Sequence, residues 1–202
     1  MHVALLILEG ANELDSFVAL TMLRRVTRPD WQVQLVAPTP TIVSGGGVTI
    51  AAQAGMAALQ DADAVLIGSG QFTERYAQDA DFLAQLALDP QRQLIGAQCS
   101  GPLLLQAKGL LPNRVTCTDL FTKPLLESRG ARALDRAFHA EGNVATAGGC
   151  LASAYLAAWM ILKLTDAETA STVLYQVAPV GEKESYVAHA LGMIGAMPVS
   201  AL

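Results

Sequence analysis

Residues 94–103 read Leu94-Ile95-Gly96-Ala97-Gln98-Cys99-Ser100-Gly101-Pro102-Leu103. A buried-strand pattern stops at a nucleophilic residue, and a helix pattern starts at once after it. That is the strand–turn–helix arrangement of a nucleophile elbow, where small residues such as Ala97 and Gly101 are needed because the sharp turn leaves no room. Cys99 then stands at a helix N-terminus, whose partial positive charge favours thiolate over thiol. A free cysteine is more often a buried structural residue. The junction and its small flanking residues make Cys99 the leading candidate nucleophile instead.

Outward from this segment, strand and helix signals alternate. Val3–Leu8 is a continuous apolar run, as in a parallel strand buried on both faces. Leu14, Phe17, Val18, Leu20 and Leu23 follow at helical spacing. Trp31–Ala37 reads as a second strand, and Pro38, Pro40 and Gly45–Gly47 punctuate a loop with a small hairpin. Ala64–Ile67 is a third strand, Phe72–Leu88 a helix, Gln93–Ala97 a fourth strand and Pro102–Ala107 the elbow helix. A short strand at Arg114–Cys117, a helix at Lys123–Arg129 and a hairpin centred on Glu141-Gly142-Asn143 come next. The apolar helix Leu151–Leu164, the amphipathic helix Ala167–Val177 and a tail complete the chain. Repeated β-α units with short links predict an α/β layered domain with a mostly parallel sheet. No repeat or linker marks a boundary, so residues 1–202 are expected to form one domain.

Composition narrows the function. The 202 residues are 52% hydrophobic and only 15% charged, with 13 Lys+Arg against 18 Asp+Glu. At this length a chain buries about 70% of its unfolded surface, so it needs no staples. Disordered chains are poor in apolar residues and rich in charge, which excludes that class. The charged fraction sits below the usual ~25%, which points to a buried subunit interface. A net charge of −5 supplies no basic field for phosphates, so nucleic acid is not an expected partner. Cys99, Cys117 and Cys150 are too few and too far apart for a disulfide framework or a CxxC metal site, and no metal is expected. The opening MHVALLILEG lacks the basic region and cleavage site of a secretory signal. In the uncharged run 142–162 about 13 residues are strongly apolar, short of the ~20 of a spanning helix. A cytoplasmic protein with no membrane partner is the expectation.

Ligands of open α/β sheets bind outside the carboxyl ends of the strands. After the first strand comes Glu9-Gly10-Ala11-Asn12-Glu13-Leu14-Asp15; its acids either stabilise the start of a helix or serve a site. After the third comes Gly68-Ser69-Gly70, either a tight turn or a set of backbone N–H groups forming an anion hole. Cys117 and Cys150 read as structural. Trp31 and Trp159 read as packing residues.

Three of these segments together resemble the DJ-1/ThiJ/PfpI superfamily: Ala97-Gln98-Cys99-Ser100-Gly101, Gly10-Ala11-Asn12-Glu13-Leu14-Asp15 and Gly68-Ser69-Gly70. Gly109-Leu110-Leu111 and Gly142-Asn143-Val144-Ala145-Thr146-Ala147-Gly148 extend the likeness over nearly the whole chain. The resemblance implies a flavodoxin-like three-layer sandwich, usually homodimeric, with a reactive cysteine that meets an acid from the first loop. Aligned on Leu14-Asp15, that acid is Asp15. The Leu-Asp pair with Cys99-Ser100-Gly101 is similar to isonitrile hydratases, whose elbow is Cys-Thr-Gly; protease-like members carry Cys-His-Gly. Where many members have a histidine this chain has Thr118. His2, His139 and His189 stand at no obvious position to act on Cys99, although His189 is placed to approach from a partner subunit.

The leading expectation is hydration of a small-molecule isonitrile to an N-substituted formamide, with no metal or organic cofactor. Cys99 attacks the terminal carbon and Asp15 supplies the proton. Ser100 and the Gly68–Gly70 backbone orient water and polarise the intermediate, and Glu13 and Thr118 border the pocket. Glyoxalase or deglycase chemistry on α-oxoaldehydes is a second expectation. A non-catalytic redox- or ligand-sensing protein is a third. With no basic helix-turn-helix in the 202 residues, a DNA-binding regulator is not expected.

Overall fold

The structure, a computed structural model, describes residues 1–195. Its first half runs β1 (His2–Leu6), α1 (Glu13–Leu23), β2 (Gln32–Val36), β3 (Thr41–Val43), β4 (Thr49–Ala51), α2 (Ala58–Asp61), β5 (Ala64–Ile67), α3 (Thr73–Gln78), α4 (Ala80–Gln85) and β6 (Leu94–Gln98). Then follow α5 (Pro102–Ala107), β7 (Val115–Thr116), α6 (Lys123–Ser128), β8 (Arg132–Ala133), β9 (Phe138–Glu141) and β10 (Val144–Ala147). The chain continues through α7 (Ser153–Leu164), α8 (Ala167–Val177) and α9 (Lys183–Met193).

Six strands form the central sheet in the order β2-β1-β5-β6-β10-β9. All neighbours are parallel except the edge pair β9–β10, the predicted hairpin. The strand order reverses beside β1, and crossovers therefore place helices on both faces. Side chains alternate between the two layers, as the pleat requires. Val3, Leu5 and Ile7 enter one core with α1, α7, α8 and α9, whereas Ala4, Leu6 and Leu8 enter the other with α2 to α6. Strands buried on both sides must be apolar at consecutive positions, which is why β1 and β5 read as unbroken hydrophobic runs. The result is the flavodoxin-like three-layer sandwich.

Helix α7 lies deep in one of the two cores. Ala154 and the six consecutive residues Leu156–Ile161 are buried, because the helix is enclosed by α1, α8, α9 and the sheet. Among the described residues no helix is long and apolar enough to cross a membrane.

Two stretches differ from the expected elements. The predicted helix over Phe72–Leu88 breaks at Asp79, whose backbone is extended and whose side chain accepts from the Phe82 N–H at 3.0 Å. An aspartate that caps a new helix competes with continuing the old one. The expected tail contains α9, which buries Val187, Ala190 and Leu191 at helical spacing; the tail's remaining residues, 196–202, lie outside the described residues.

At the end of β6 the backbone packs tightly enough to exclude a side chain. A Cβ on Gly101 would stand 2.9 Å from the Gln98 carbonyl oxygen and 3.0 Å from the Ile67 carbonyl oxygen. These are backbone atoms and cannot swing away. On Gly96 the nearest atom, at 2.9 Å, is the terminal methyl of Met160, which can. Gly101→Ala is therefore expected to cost about 1–3 kcal/mol in urea unfolding, as other overpacked positions do. Gly96→Ala should come out near neutral, because the stiffer unfolded chain offsets a small displacement by about 0.4–1 kcal/mol. Equal losses in the two variants would contradict this packing.

Candidate active site

The carboxyl ends of β1, β5, β6 and β10 converge, and each contributes to one cluster. At the end of β6, Cys99 has a left-handed backbone, φ 48°, unusual for a residue with a side chain. Its N–H donates to the Ala147 carbonyl at 2.9 Å, and its own carbonyl accepts from Thr118 Oγ1 at 2.6 Å. Gly148 lies so close to the Thr118 backbone that no Cβ fits between them. The turn is thus clamped from both sides, and the thiol is 4% exposed.

Asp15 is delivered by the first turn of α1. Asn12 caps that helix by accepting from the Leu14 N–H at 3.0 Å. The carboxylate, 1% exposed, accepts from Ser16 Oγ at 3.2 Å and from Ser69 Oγ at 2.5 Å. Ser69 sits in the turn after β5, so two strand ends hold one acid. The third member is Cys150, which opens a short 3₁₀ turn after β10. The Cys99 sulfur, the Cys150 sulfur and an Asp15 carboxylate oxygen all lie within 4.8 Å of one another. Among the described residues no histidine joins them: His2 and His139 lie on β1 and β9, and His189 lies on α9 beside Tyr155.

The structure places Cys99 and Asp15 together and gives each of the other candidate residues a definite partner. Ser100 is committed elsewhere: its hydroxyl donates to Thr73 Oγ1 at 2.9 Å and accepts from the Gly70 N–H at 3.1 Å. The Gly68 N–H donates to the Leu6 carbonyl at 3.0 Å, so the amides of Gly68 and Gly70 are both engaged. Glu13 binds Ser44 Oγ at 2.5 Å and the Gly46 N–H at 2.8 Å, pinning the β3–β4 hairpin. Thr118 buttresses the elbow carbonyl. Cys150 is no mere helix start. Cys117 remains structural, fully buried with its N–H on Thr146 Oγ1 at 2.8 Å.

Gln98 is a site residue that sequence reasoning passed over. Its Nε2 donates to the Cys99 sulfur at 3.2 Å and to the Gly149 carbonyl at 2.9 Å. The second bond fixes which end of the amide is the nitrogen. Its Oε1 is buried with no partner among the described residues. Its place next to the nucleophile was the available signal.

Nor is the thiol activated in the expected way. Burial, followed by the charge of Asp15, pushes the Cys99 thiol from its ordinary 9.0 up to about 12, against a lowering hydrogen bond from Gln98. That rise disfavours the thiolate by roughly 4 kcal/mol. A helix N-terminus contributes about 0.3–1 kcal/mol, and α5 is only six residues long, so the dipole loses to desolvation. The Asp15 carboxyl is also raised above its ordinary 3.8, because burial outweighs hydrogen bonds from Ser69, Ser16 and the Cys99 thiol. The Asp15 charge disfavours the thiolate, while the protonated Cys99 thiol donates to the Asp15 carboxylate, so the two titrate as one unit.

Beside this cluster runs an apolar groove of about 1220 Å³. Asn12, Glu13, Leu14, Phe17, Cys150 and Tyr155 are among its walls, and among the described residues no lysine or arginine lines it. Cys99 itself lies behind the wall.

A three-layer α/β sandwich with a buried thiol–carboxylate pair at a strand–helix elbow defines a class of cysteine-centred proteins. The chain belongs to the DJ-1/PfpI family, whose model matches residues 1–164. Solved structures agree on the fold. Schizosaccharomyces pombe DJ-1 is similar with a TM-score of 0.75 at 16% identity, covering 89% of this chain and 100% of its own. A ThiJ/PfpI family protein from Pseudomonas syringae has a TM-score of 0.76 at 20% identity, covering 96% of this chain and 87% of its own. Toxoplasma gondii DJ-1, solved in an oxidized form, has a TM-score of 0.73 at 21% identity, covering 87% and 97%. No curated protein matches the chain in sequence.

The Asp15 charge beside the thiol, and the burial of its carboxyl, give two expected results for Asp15→Asn. Removing the carboxylate lowers the Cys99 thiol toward its ordinary value, so alkylation by iodoacetamide at neutral pH should speed up, about tenfold for each pH unit by which the thiol falls. A slower reaction would show that Asp15 activates the thiolate at rest. The second result concerns stability. A carboxyl raised by folding stabilises the folded chain below its unfolded value and loses that contribution as pH rises through its folded value. Asp15→Asn should therefore raise the melting temperature at neutral pH, with the gain vanishing below about 3.8.

Proposed function

We propose that this protein is a cysteine-dependent small-molecule enzyme that adds water to isonitriles, giving N-substituted formamides. The observation that carries the reading is the buried Cys99–Asp15 pair, in which both groups favour their protonated forms. In such a pair the carboxyl can give up one proton and take another from the sulfur within the site. As Cys99 attacks the terminal isonitrile carbon, the Asp15 carboxyl gives its proton to that same carbon and takes the thiol proton in its place. The product is a thioimidate, R–N=CH–S–Cys99. Water then adds to its carbon, and the adduct expels Cys99 as the thiol, leaving R–NH–CHO.

Three features support this chemistry. The Ser100 N–H has no acceptor among the described residues, and the amide after the nucleophile is the usual donor to a developing negative charge. The unpartnered Gln98 Oε1 is an acceptor for the incoming water. Two exposed leucines, Leu14 and Leu151, at 51% and 70%, are part of the groove's apolar lining. A neutral, apolar substrate suits a groove without cationic side chains. We further propose a cytoplasmic homodimer, consistent with the 15% charged content.

The test is incubation of the purified protein with cyclohexyl isocyanide while formamide is followed. Turnover is expected, falling at least about a hundredfold in both Cys99→Ala and Asp15→Ala, the scale of a lost acid–base group. Consumption of an α-oxoaldehyde with no formamide would instead assign the pair to hemithioacetal chemistry. Peroxide-dependent mass gain at Cys99 with neither turnover would assign it to sensing.

A further inference from the structure

The mechanism uses one sulfur, yet two stand in the site. Cys99 and Cys150 come from the ends of β6 and β10, which are adjacent and parallel with Gln98 opposite Ala147. Their sulfurs lie within 4.8 Å of each other. A disulfide needs about 2.0 Å between sulfurs, so the gap to close is one that a side-chain rotamer step covers. Each sulfur also carries one amide donor. Gln98 Nε2 points to Cys99 at 3.2 Å, and Asn12 Nδ2 points to Cys150 at 3.2 Å. Such donors stabilise negative charge on sulfur as a thiol reacts. The Asp15 carboxylate, within the same 4.8 Å, is a proton acceptor common to both.

Access differs between the two. Cys99 is 4% exposed, whereas Cys150 is half-buried and forms part of the groove wall. An oxidant entering by the groove meets Cys150 first. We propose that Cys150 and Cys99 form a reversible disulfide when the protein meets a hydroperoxide, and that this bond switches the site off. In the first step the Cys150 thiol attacks the peroxide, the O–O bond breaks, and Cys150 sulfenic acid and an alcohol (or water) result. In the second, Cys99 attacks the Cys150 sulfur while its proton passes through Asp15 to the departing hydroxide, which leaves as water. Two thiols lose two electrons and the peroxide gains them. The bond consumes the nucleophile, and a thiol reductant restores it.

This inference rests on the proposed reaction only for its consequence; the bond itself is read by mass. The full chain, freshly reduced, is treated with hydrogen peroxide at a small excess, quenched with an alkylating agent and digested. A crosslinked peptide pair containing Cys99 and Cys150, an intact mass lower by two hydrogens, and full reversal by dithiothreitol are expected. In Cys99→Ser, dimedone should label Cys150. In Cys150→Ser, no crosslink should form, and Cys99 should take up oxygen atoms that dithiothreitol does not remove. Melting temperatures of both serine variants confirm that each is folded. Oxygen uptake on Cys99 with Cys150 left free in the natural chain overturns the proposal, as does a crosslink between two chains or an unchanged mass. Formamide production is measured separately on the reduced protein, so failure of the hydratase reading leaves the crosslink result standing, and the converse holds too.

Discussion

The left-handed backbone of Cys99 is the constraint on which the rest of the site depends. A residue with a side chain avoids φ near 48°, and holding it there costs of order 1–3 kcal/mol. The cost is met by close packing on every side of the turn. Gly101 abuts the Gln98 and Ile67 carbonyls, Thr118 donates to the Cys99 carbonyl, and Gly148 lets the Thr118 backbone come close enough to do so. None of these contacts is polar decoration on a preformed site. Loosening any of them lets Cys99 relax toward extended backbone, which would swing its sulfur away from Asp15.

The same packing sets the chemistry of the thiol. A turn enclosed on all sides is dry, and dryness disfavours both charged forms of the pair. Two serine hydroxyls on the Asp15 carboxylate offset part of its burial, and one amide on the Cys99 sulfur offsets less. The balance leaves a thiol raised to about 12 beside a carboxyl that is also raised. Such a pair is poor at keeping a standing thiolate and good at passing one proton within itself.

What the sequence made legible was local. The elbow at Cys99 could be read because a strand, a nucleophile and a helix are contiguous there, and Asp15 because a first-turn acid follows a strand end. The unbroken apolar runs of β1 and β5 carried the parallel sheet. The break at Asp79 was also local, a capping residue three before Phe82, but a continuous helical pattern on both sides concealed it. Cys150 was not legible, because its importance depends on β10 lying beside β6 in a given register. The thiol's raised pKa was hidden for a related reason: the N-terminal dipole is visible in sequence, while the depth of burial that overwhelms it is a property of the packed layers. The turn Gly68-Ser69-Gly70 had been read for its amides, yet the fold spends those of Gly68 and Gly70 and leaves the Ser69 side chain to hold Asp15.

Thr118 narrows which reactions the proposed site suits. With a histidine there, an imidazole would stand near the elbow and offer a base separate from the acid. Thr118 offers only a hydroxyl, and that hydroxyl is committed to the Cys99 carbonyl at 2.6 Å. No histidine joins the cluster among the described residues, so Asp15 is the one group placed to move the thiol proton. A reaction that needs a base to activate water while an acid protonates a leaving amine asks for two groups where the site has one. Addition to an isonitrile asks for less, because one carboxyl gives a proton to the carbon and takes the one that sulfur loses. The pair's shared titration, a handicap for a hydrolase, suits a nucleophilic addition in which nothing needs to leave until the end.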